Sequence, residues 1–271
     1  MKFTGGVEIA MKFTDAGKRQ NCWKKSVAGA ALLCGIFVFC ILTTTARAAK
    51  MHTNDLDGVR QVVLVTVPSS SSNNANVTAY ECEKEGKWSK TKESEGRVGK
   101  NGITPISSRR QGDKKTPQGI LKLMQAFGRK ADPDSVFEYT KITEDMYWNL
   151  NSGQETYNQL VYENPGGNYE HLIDYKTYNY MFTTDYNVEQ IEKKGGAIFF
   201  HCNGKSATSG CISVPQSTMK WYMSWLEPDK NPTLIVTTEE AVQKYFVPAA
   251  KIKSVKADSA NSLKISWERV S

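Results

Sequence analysis

The stretch Gly196-Ala-Ile-Phe-Phe-His-Cys-Asn-Gly-Lys-Ser-Ala-Thr-Ser-Gly-Cys-Ile-Ser-Val214 decides how the chain is read. Its first part is a short apolar run ending on His201. A polar, turn-rich segment follows from Asn203 to Gly210, and a second apolar run begins at Cys211. Two buried strands joined by a tight loop fit that pattern. The strand ends would bring one imidazole and one thiol together. A free thiol is only slightly ionised at neutral pH, and a neighbouring imidazole can take its proton to give a thiolate–imidazolium pair, a nucleophile for acyl transfer. Gly210 lets the backbone turn so that the amides of Cys211 and of the loop before it can face an oxyanion. The pairing also predicts that Cys211 alkylates faster than a denatured control.

Working outward, Gln61 to Val67 is a β-branched run and Val77 to Glu83 alternates, with a polar Ser/Asn stretch between them, which reads as an antiparallel start. Ile120 to Met124, Tyr178 to Thr184, Ala197 to His201 and Thr233 to Thr238 are further strand candidates. One helix is expected after Pro215, where Met219, Tyr222, Met223 and Leu226 share a face and Pro228 ends the pattern, with Glu239 to Phe246 a shorter second candidate. Asp132 to Asn168 shows neither period and is too long for an ordinary loop, so a partly structured lid or insertion is expected there. The fold class is mostly β.

The chain has 271 residues and a net charge of +7. Residues 1 to 48 hold seven Lys and Arg against Glu8 and Asp15, which leaves about +2 for the rest and no electrostatic reason for a nucleic-acid partner. Lys18, Arg19, Lys24 and Lys25 precede the apolar run Val27 to Leu42, and Ala46-Arg47-Ala48 follows, the order of a secretory signal peptide, or of an N-terminal membrane anchor where it is not cleaved. An exported protein is therefore expected, in the cell wall or outside the cell, touching membrane only through that segment. Beyond the leader three cysteines remain, Cys82, Cys202 and Cys211, an odd number that points to a free thiol. The alternatives are a small core residue at Cys211, a structural disulfide through Cys202, or a metal site, which the absence of C-x-x-C and H-x-x-x-H pairs disfavours.

His201…Thr208-Ser-Gly210-Cys211-Ile resembles the His…(Ser/Thr)-x-Gly-Cys-(Ile/Val) signature of the L,D-transpeptidase catalytic-domain (YkuD) family. Gly112-Asp113-Lys-Lys-Thr116-Pro117-Gln-Gly119 resembles that family's Gly-Asp-x-x-Thr-Pro-x-Gly segment. Partial matches run through Val98-Gly99, Glu170-His171-Leu172, Tyr178-Asn-Tyr180 and Tyr186-Asn187, so the resemblance spans roughly residues 58 to 240. It implies a β-sandwich or barrel with one or two short helices, and no cofactor and no metal. It also implies Cys211 as nucleophile, His201 as base, the backbone around Gly210 as oxyanion site and Thr208 as the orienter of the loop, with Ser209 and His171 on the substrate side. The implied partners are donor and acceptor peptidoglycan stem peptides, joined through a thioester; hydrolysis would give an L,D-carboxypeptidase, and an idle Cys211 a non-catalytic cell-wall binding module. Ser213 stands where many members have Arg or Asn, so the donor carboxylate would need another cation, with Arg109, Arg110, Lys205 and Lys220 as candidates. Residues 250 to 271 resemble the first two strands of a fibronectin type III module, with Trp267 as its core aromatic, and read as a fragment of one.

Overall fold

The computed structural model describes residues 9–12, 50–51, 56, 58–84, 87–247, 251–259 and 262–268. The apolar run Val27 to Leu42, expected to be the core of a signal peptide or anchor, lies outside them. Residues 49–247 form one compact unit. A second unit contains a three-stranded antiparallel sheet in which Ser262–Glu268 pairs with both Ile9–Lys12 and Lys251–Ser259.

The larger unit is built on β1 (Gln61–Val67), β2 (Asn74–Lys84), β3 (Lys87–Arg97), β4 (Ile103–Pro105) and β5 (Thr116–Gly128). After the insertion strands β6 (Tyr139–Lys141), β7 (Tyr147–Asn149), β8 (Leu160–Val161) and β9 (Tyr169–His171) come β10 (Met181–Thr184), β11 (Phe199–Cys202), β12 (Ile212–Val214) and β13 (Thr233–Thr238). Around the main sheet the order is β10-β11-β12-β3-β2-β1-β13-β5, and β5 pairs back onto β10, so eight strands close into a barrel. β4 and β6 flank β5 in parallel.

β1 can carry the unbroken apolar run Val62 to Val65 because it is central. It pairs antiparallel with β2 and parallel with β13, and both of its faces are covered. Val63, Val65 and Val67 face the barrel core, while Val62 and Leu64 pack with Leu56, Trp88 and Ile235. β3, in the sequence Lys-Trp-Ser-Lys-Thr-Lys-Glu-Ser-Glu-Gly-Arg, carries no apolar alternation, and its pairing comes from the long hairpin with β2. The helix α1 (Gln216–Trp225) buries Met219, Tyr222 and Met223, and Tyr222 meets Phe200 of β11 edge-on at 5.0 Å. The stretch after Glu239 forms a 3₁₀ turn, Glu240–Lys244, with none of its residues buried.

Tyr178, expected in a strand, lies in a 3₁₀ turn, and the strand proper starts at Met181. The segment read as a lid or insertion folds into the small sheet β8-β7-β9. Asparagine side chains hold it: Asn149 donates to Gln154 and Thr156 at 2.8 Å each, and Asn151 donates to the Gly166 carbonyl at 2.7 Å. Its apolar residues Trp148, Leu150 and Leu160 pack on a second core made by Phe127, Met181, Ala197, Phe199 and Cys211. β11 therefore separates two cores: Phe200 and Cys202 point into the barrel, and Phe199 points to the insertion.

Candidate active site

The parallel register of β11 with β12 sets Phe200 opposite Ile212 and His201 opposite Ser213. Continued one residue back, it brings Cys211 level with Phe199, whose amide donates to Cys211 Sγ at 3.3 Å. The thiol in turn donates to the Ala197 carbonyl at 3.0 Å. His201 lies two residues further along β11, its Nδ1 2.8 Å from the Cys202 carbonyl. A carbonyl only accepts, so Nδ1 carries the proton and Nε2 is the basic nitrogen. The ring of Tyr178 stands edge-on to both Phe199 (5.7 Å) and His201 (5.4 Å).

Two hydroxyls converge on the Cys211 carbonyl, Thr208 at 2.6 Å and Thr116 at 3.2 Å. Thr116 also accepts the Gly99 amide at 2.8 Å, and Thr208 accepts the Gly210 amide at 3.2 Å. The Gly210 amide is thus spent inside the loop, whereas the Cys211 amide enters no loop hydrogen bond among the described residues. Gly210 has φ +149°, and a Cβ there would meet Arg109, Ile198 and the Lys115 carbonyl at 3.0 to 3.1 Å, which is why glycine precedes the cysteine.

Cys211 opens on a cleft of about 250 Å³ that is also lined by Arg109, Lys114, Glu170, Ala197 and Ser209. A larger groove of about 380 Å³, around Met124 and Phe137, holds no nucleophile. The buried Arg109 pairs with Asp113 at 2.7 Å, and its Nε has no partner. Of the four cations considered for a carboxylate, Arg110, Lys205 and Lys220 are exposed and do not line the cleft. Ser209 stands on the cleft wall, while the Thr208 hydroxyl is engaged within the loop.

His171 goes elsewhere. Its Nε2 meets the Glu144 carbonyl at 2.7 Å, its Nδ1 meets Asp174 at 3.0 Å, and its ring stacks on Tyr147 at 4.4 Å. The residue before it, Glu170, is the one that lines the cleft, and it accepts the Tyr178 hydroxyl at 2.5 Å. Glu170 was quoted in the Glu-His-Leu triplet, but strand alternation could not say which member faced inward.

The resting electrostatics differ from the expected ion pair. Burial first, and then the Glu170 charge, push the Cys211 thiol up to about 12, and burial pushes the His201 imidazole down to about 4. None of the described hydrogen bonds joins the two side chains. At rest the nucleophile is a neutral thiol and the imidazole is neutral too, because both side chains are buried and burial penalises either charge. Burial likewise lifts Glu170 to about 7, against the lowering effect of the Tyr178 hydroxyl.

Cys82, Cys202 and Cys211 are free thiols, and Cys202 sits in the barrel core. Among the described residues no three His, Cys, Asp or Glu side chains converge as metal ligands would.

A buried Asn158 ties the insertion to this site. It accepts Trp148 Nε1 at 3.0 Å and the Ala197 amide at 2.9 Å, and it donates to the Tyr186 and Asn187 carbonyls. Ala197, whose carbonyl holds the thiol, has φ +50°, a conformation this amide helps to fix.

No curated protein matches the chain. Residues 75–237, more than half of its length, match the L,D-transpeptidase catalytic domain (YkuD), and that span contains the insertion, the Cys211 cleft and, to within a residue, every barrel strand except β1. The chain belongs to the L,D-transpeptidase catalytic domain family.

Proposed function

We propose that the protein is an exported cysteine-dependent L,D-transpeptidase that acts on peptidoglycan stem peptides through a thioester on Cys211. The observation that carries this reading is the placement of one thiol, its carbonyl pinned by two threonine hydroxyls, at the wall of a cleft, with the His201 imidazole two residues further along the neighbouring strand. Leader and localisation follow the basic, apolar and small-residue order of residues 18 to 48.

In this mechanism the scissile carbonyl, between the third stem residue and the terminal D-Ala, lies over Cys211. Its carboxylate end meets Arg109, with Ser209 at the wall. The thiol leaves the Ala197 carbonyl and passes its proton to His201 Nε2 as sulfur attacks, so charge separation occurs within the step and is not stored beforehand. The Cys211 amide receives the oxyanion, with Gly210 providing the close approach. His201 returns the proton to the departing D-Ala amine, leaving a thioester that keeps the acyl group activated without any nucleotide. An amine on a neighbouring stem then closes the cross-link, or water gives the carboxypeptidase product.

The test is intact-mass spectrometry of the full-length chain incubated with disaccharide-tetrapeptide, set against Cys211→Ala. The expected result is a thioester adduct on the wild type alone, with cross-linked dimer or D-Ala-shortened muropeptide in solution. Folded protein with neither adduct nor turnover would refute the enzyme and leave a wall-binding module.

A further inference from the structure

We infer that Glu170 is the acceptor-side carboxylate of this cleft: once Cys211 is acylated, it gathers the incoming ammonium group and removes one of its protons, so that an amine and not water resolves the thioester. The inference rests on the thioester reading above and assigns a role that reading leaves open.

Three observations carry it. The first is placement. Glu170 lines the same cleft as Cys211, while the flanking residues of its strand are anchored elsewhere, His171 on Glu144, Asp174 and Tyr147, and Leu172 fully buried. The triplet therefore holds one carboxyl toward the reacting sulfur. The second is valence. One Glu170 oxygen takes the Tyr178 hydroxyl, and the other has no hydrogen-bond partner among the described residues, so an acceptor site is left for a donor that enters the cleft.

The third is charge. A carboxylate near Cys211 disfavours the thiolate, and Glu170 contributes to the raised proton affinity of that thiol. In the first half-reaction such a group is a hindrance. Acylation turns the sulfur into a neutral thioester, the like-charge penalty disappears, and the same carboxylate can then attract a cation. Arg109, paired with Asp113 but with its Nε unpartnered, and Lys114 line the same cleft, so it offers cations to a carboxylate-bearing donor as well as a carboxyl to an ammonium-bearing acceptor. Burial makes Glu170 a stronger base than an ordinary carboxylate, which suits it to this transfer.

The step balances. R–NH₃⁺ gives one proton to the Glu170 carboxylate, the free amine attacks the thioester carbon, and the C–N bond forms as the C–S bond breaks. The second amine proton passes through His201 to the departing sulfur, and Glu170 releases its proton to solvent. Thioester and ammonium become amide, Cys211 thiol and one proton.

The experiment compares wild type, Glu170→Gln and Glu170→Asp as full-length chains with disaccharide-tetrapeptide. It reads the thioester by intact mass and the ratio of cross-linked dimer to hydrolysed tripeptide by chromatography. Because the ratio is taken per thioester formed, an unfolded fraction drops out of it. Glu170→Gln should form the thioester at least as fast as wild type does while its dimer-to-tripeptide ratio falls by about a hundredfold or more, the order expected for a lost general base, and Glu170→Asp should recover part of the ratio. An unchanged ratio overturns the inference. So does a wild type that forms thioester but only hydrolyses it, and so does a Glu170→Gln that no longer acylates, which would move the residue to the first half-reaction. Absence of thioester on wild type would instead refute the reading beneath it, and this one with it.

Discussion

Alkylation of Cys211 in the resting protein measures the electrostatics of the site directly. Burial and the Glu170 charge lift the thiol from its ordinary value of 9.0 to about 12. At neutral pH the thiolate fraction is then about 10³ lower than in the unfolded chain. Intrinsic nucleophilicity rises with pKa, with a Brønsted slope of about 0.4–0.5, and returns a factor of about 15 to 30. Iodoacetamide should therefore modify Cys211 about 30- to 60-fold more slowly in the folded protein than in urea, before restricted access slows it further. The assay is peptide-resolved mass spectrometry of the time course between pH 5 and 10, with Cys82 and Cys202 followed in the same digest. The logarithm of the rate should climb by about one unit per pH unit through pH 9 without a plateau. His201→Ala should leave this resting rate within a factor of about three, because a neutral imidazole stores no charge on the thiol. A rate above that of the denatured control, or a plateau between pH 5 and 8 that His201→Ala abolishes, would establish a resting thiolate–imidazolium pair and refute the reasoning.

Other consequences are measurable on the same protein. Thr116→Val strands the Gly99 amide and removes one of the two hydroxyls on the Cys211 carbonyl, so it should cost about 1–3 kcal/mol, seen as a Tm lowered by about 2–4 °C for each kcal/mol, together with slower thioester formation. Asn158→Leu leaves Trp148, Ala197, Tyr186 and Asn187 with unmet polar groups at once and should cost roughly 3 kcal/mol or more by urea denaturation; a loss below about 1 kcal/mol would deny this amide its anchoring role. Glu170 and His201 oppose each other in pH dependence. The folded chain holds the Glu170 proton more tightly than the unfolded chain, so its contribution to stability falls as pH rises from 4.5 to about 7. The lowered His201, by contrast, favours folding increasingly from about pH 4 to 6.5. Relative to wild type, Glu170→Gln should therefore gain about 1.4 kcal/mol of stability per pH unit between pH 5 and 6.5, and Tm curves of the two proteins that run parallel would refute the raised carboxyl.

Legibility followed burial. β1 and β13 were readable to the residue because each is central in the sheet and covered on both faces, which favours the β-branched and apolar runs they carry. α1 was readable because its buried face repeats at helical spacing. β3 was not. Its register comes from ladder bonds to β2, and its alternating Lys, Ser, Thr and Glu face solvent, so no side chain advertises the strand. The motif spacing predicted Cys211 and His201 at meeting strand ends; the parallel register sets them two residues apart along neighbouring strands, and the spacing said nothing about their burial, which sets their protonation. Likewise Glu170 and His171 were one motif in sequence and opposite sides of a strand in space.

That last division shows what the insertion does. Cys211 and His201 belong to the barrel, where adjacent strands fix their relation without help from residues 132 to 180. Part of what sets their environment comes from that segment. Tyr178 covers the imidazole edge, Glu170 supplies the neighbouring carboxyl, and Asn158 holds the Ala197 backbone whose carbonyl binds the thiol. A lid that opened widely would break the Asn158 bonds and hydrate the thiol, easing its ionisation where water can compete for the acyl group. The segment is better understood as a fixed wall, joined to the core through Trp148 against Phe199 and through three hydrogen bonds on the Asn158 amide. Access must then come along the open cleft between Arg109 and Glu170. Arg109, Lys114 and Glu170 all line that cleft, so the surface that meets an entering group carries both signs of charge, beside a thiol that burial keeps neutral.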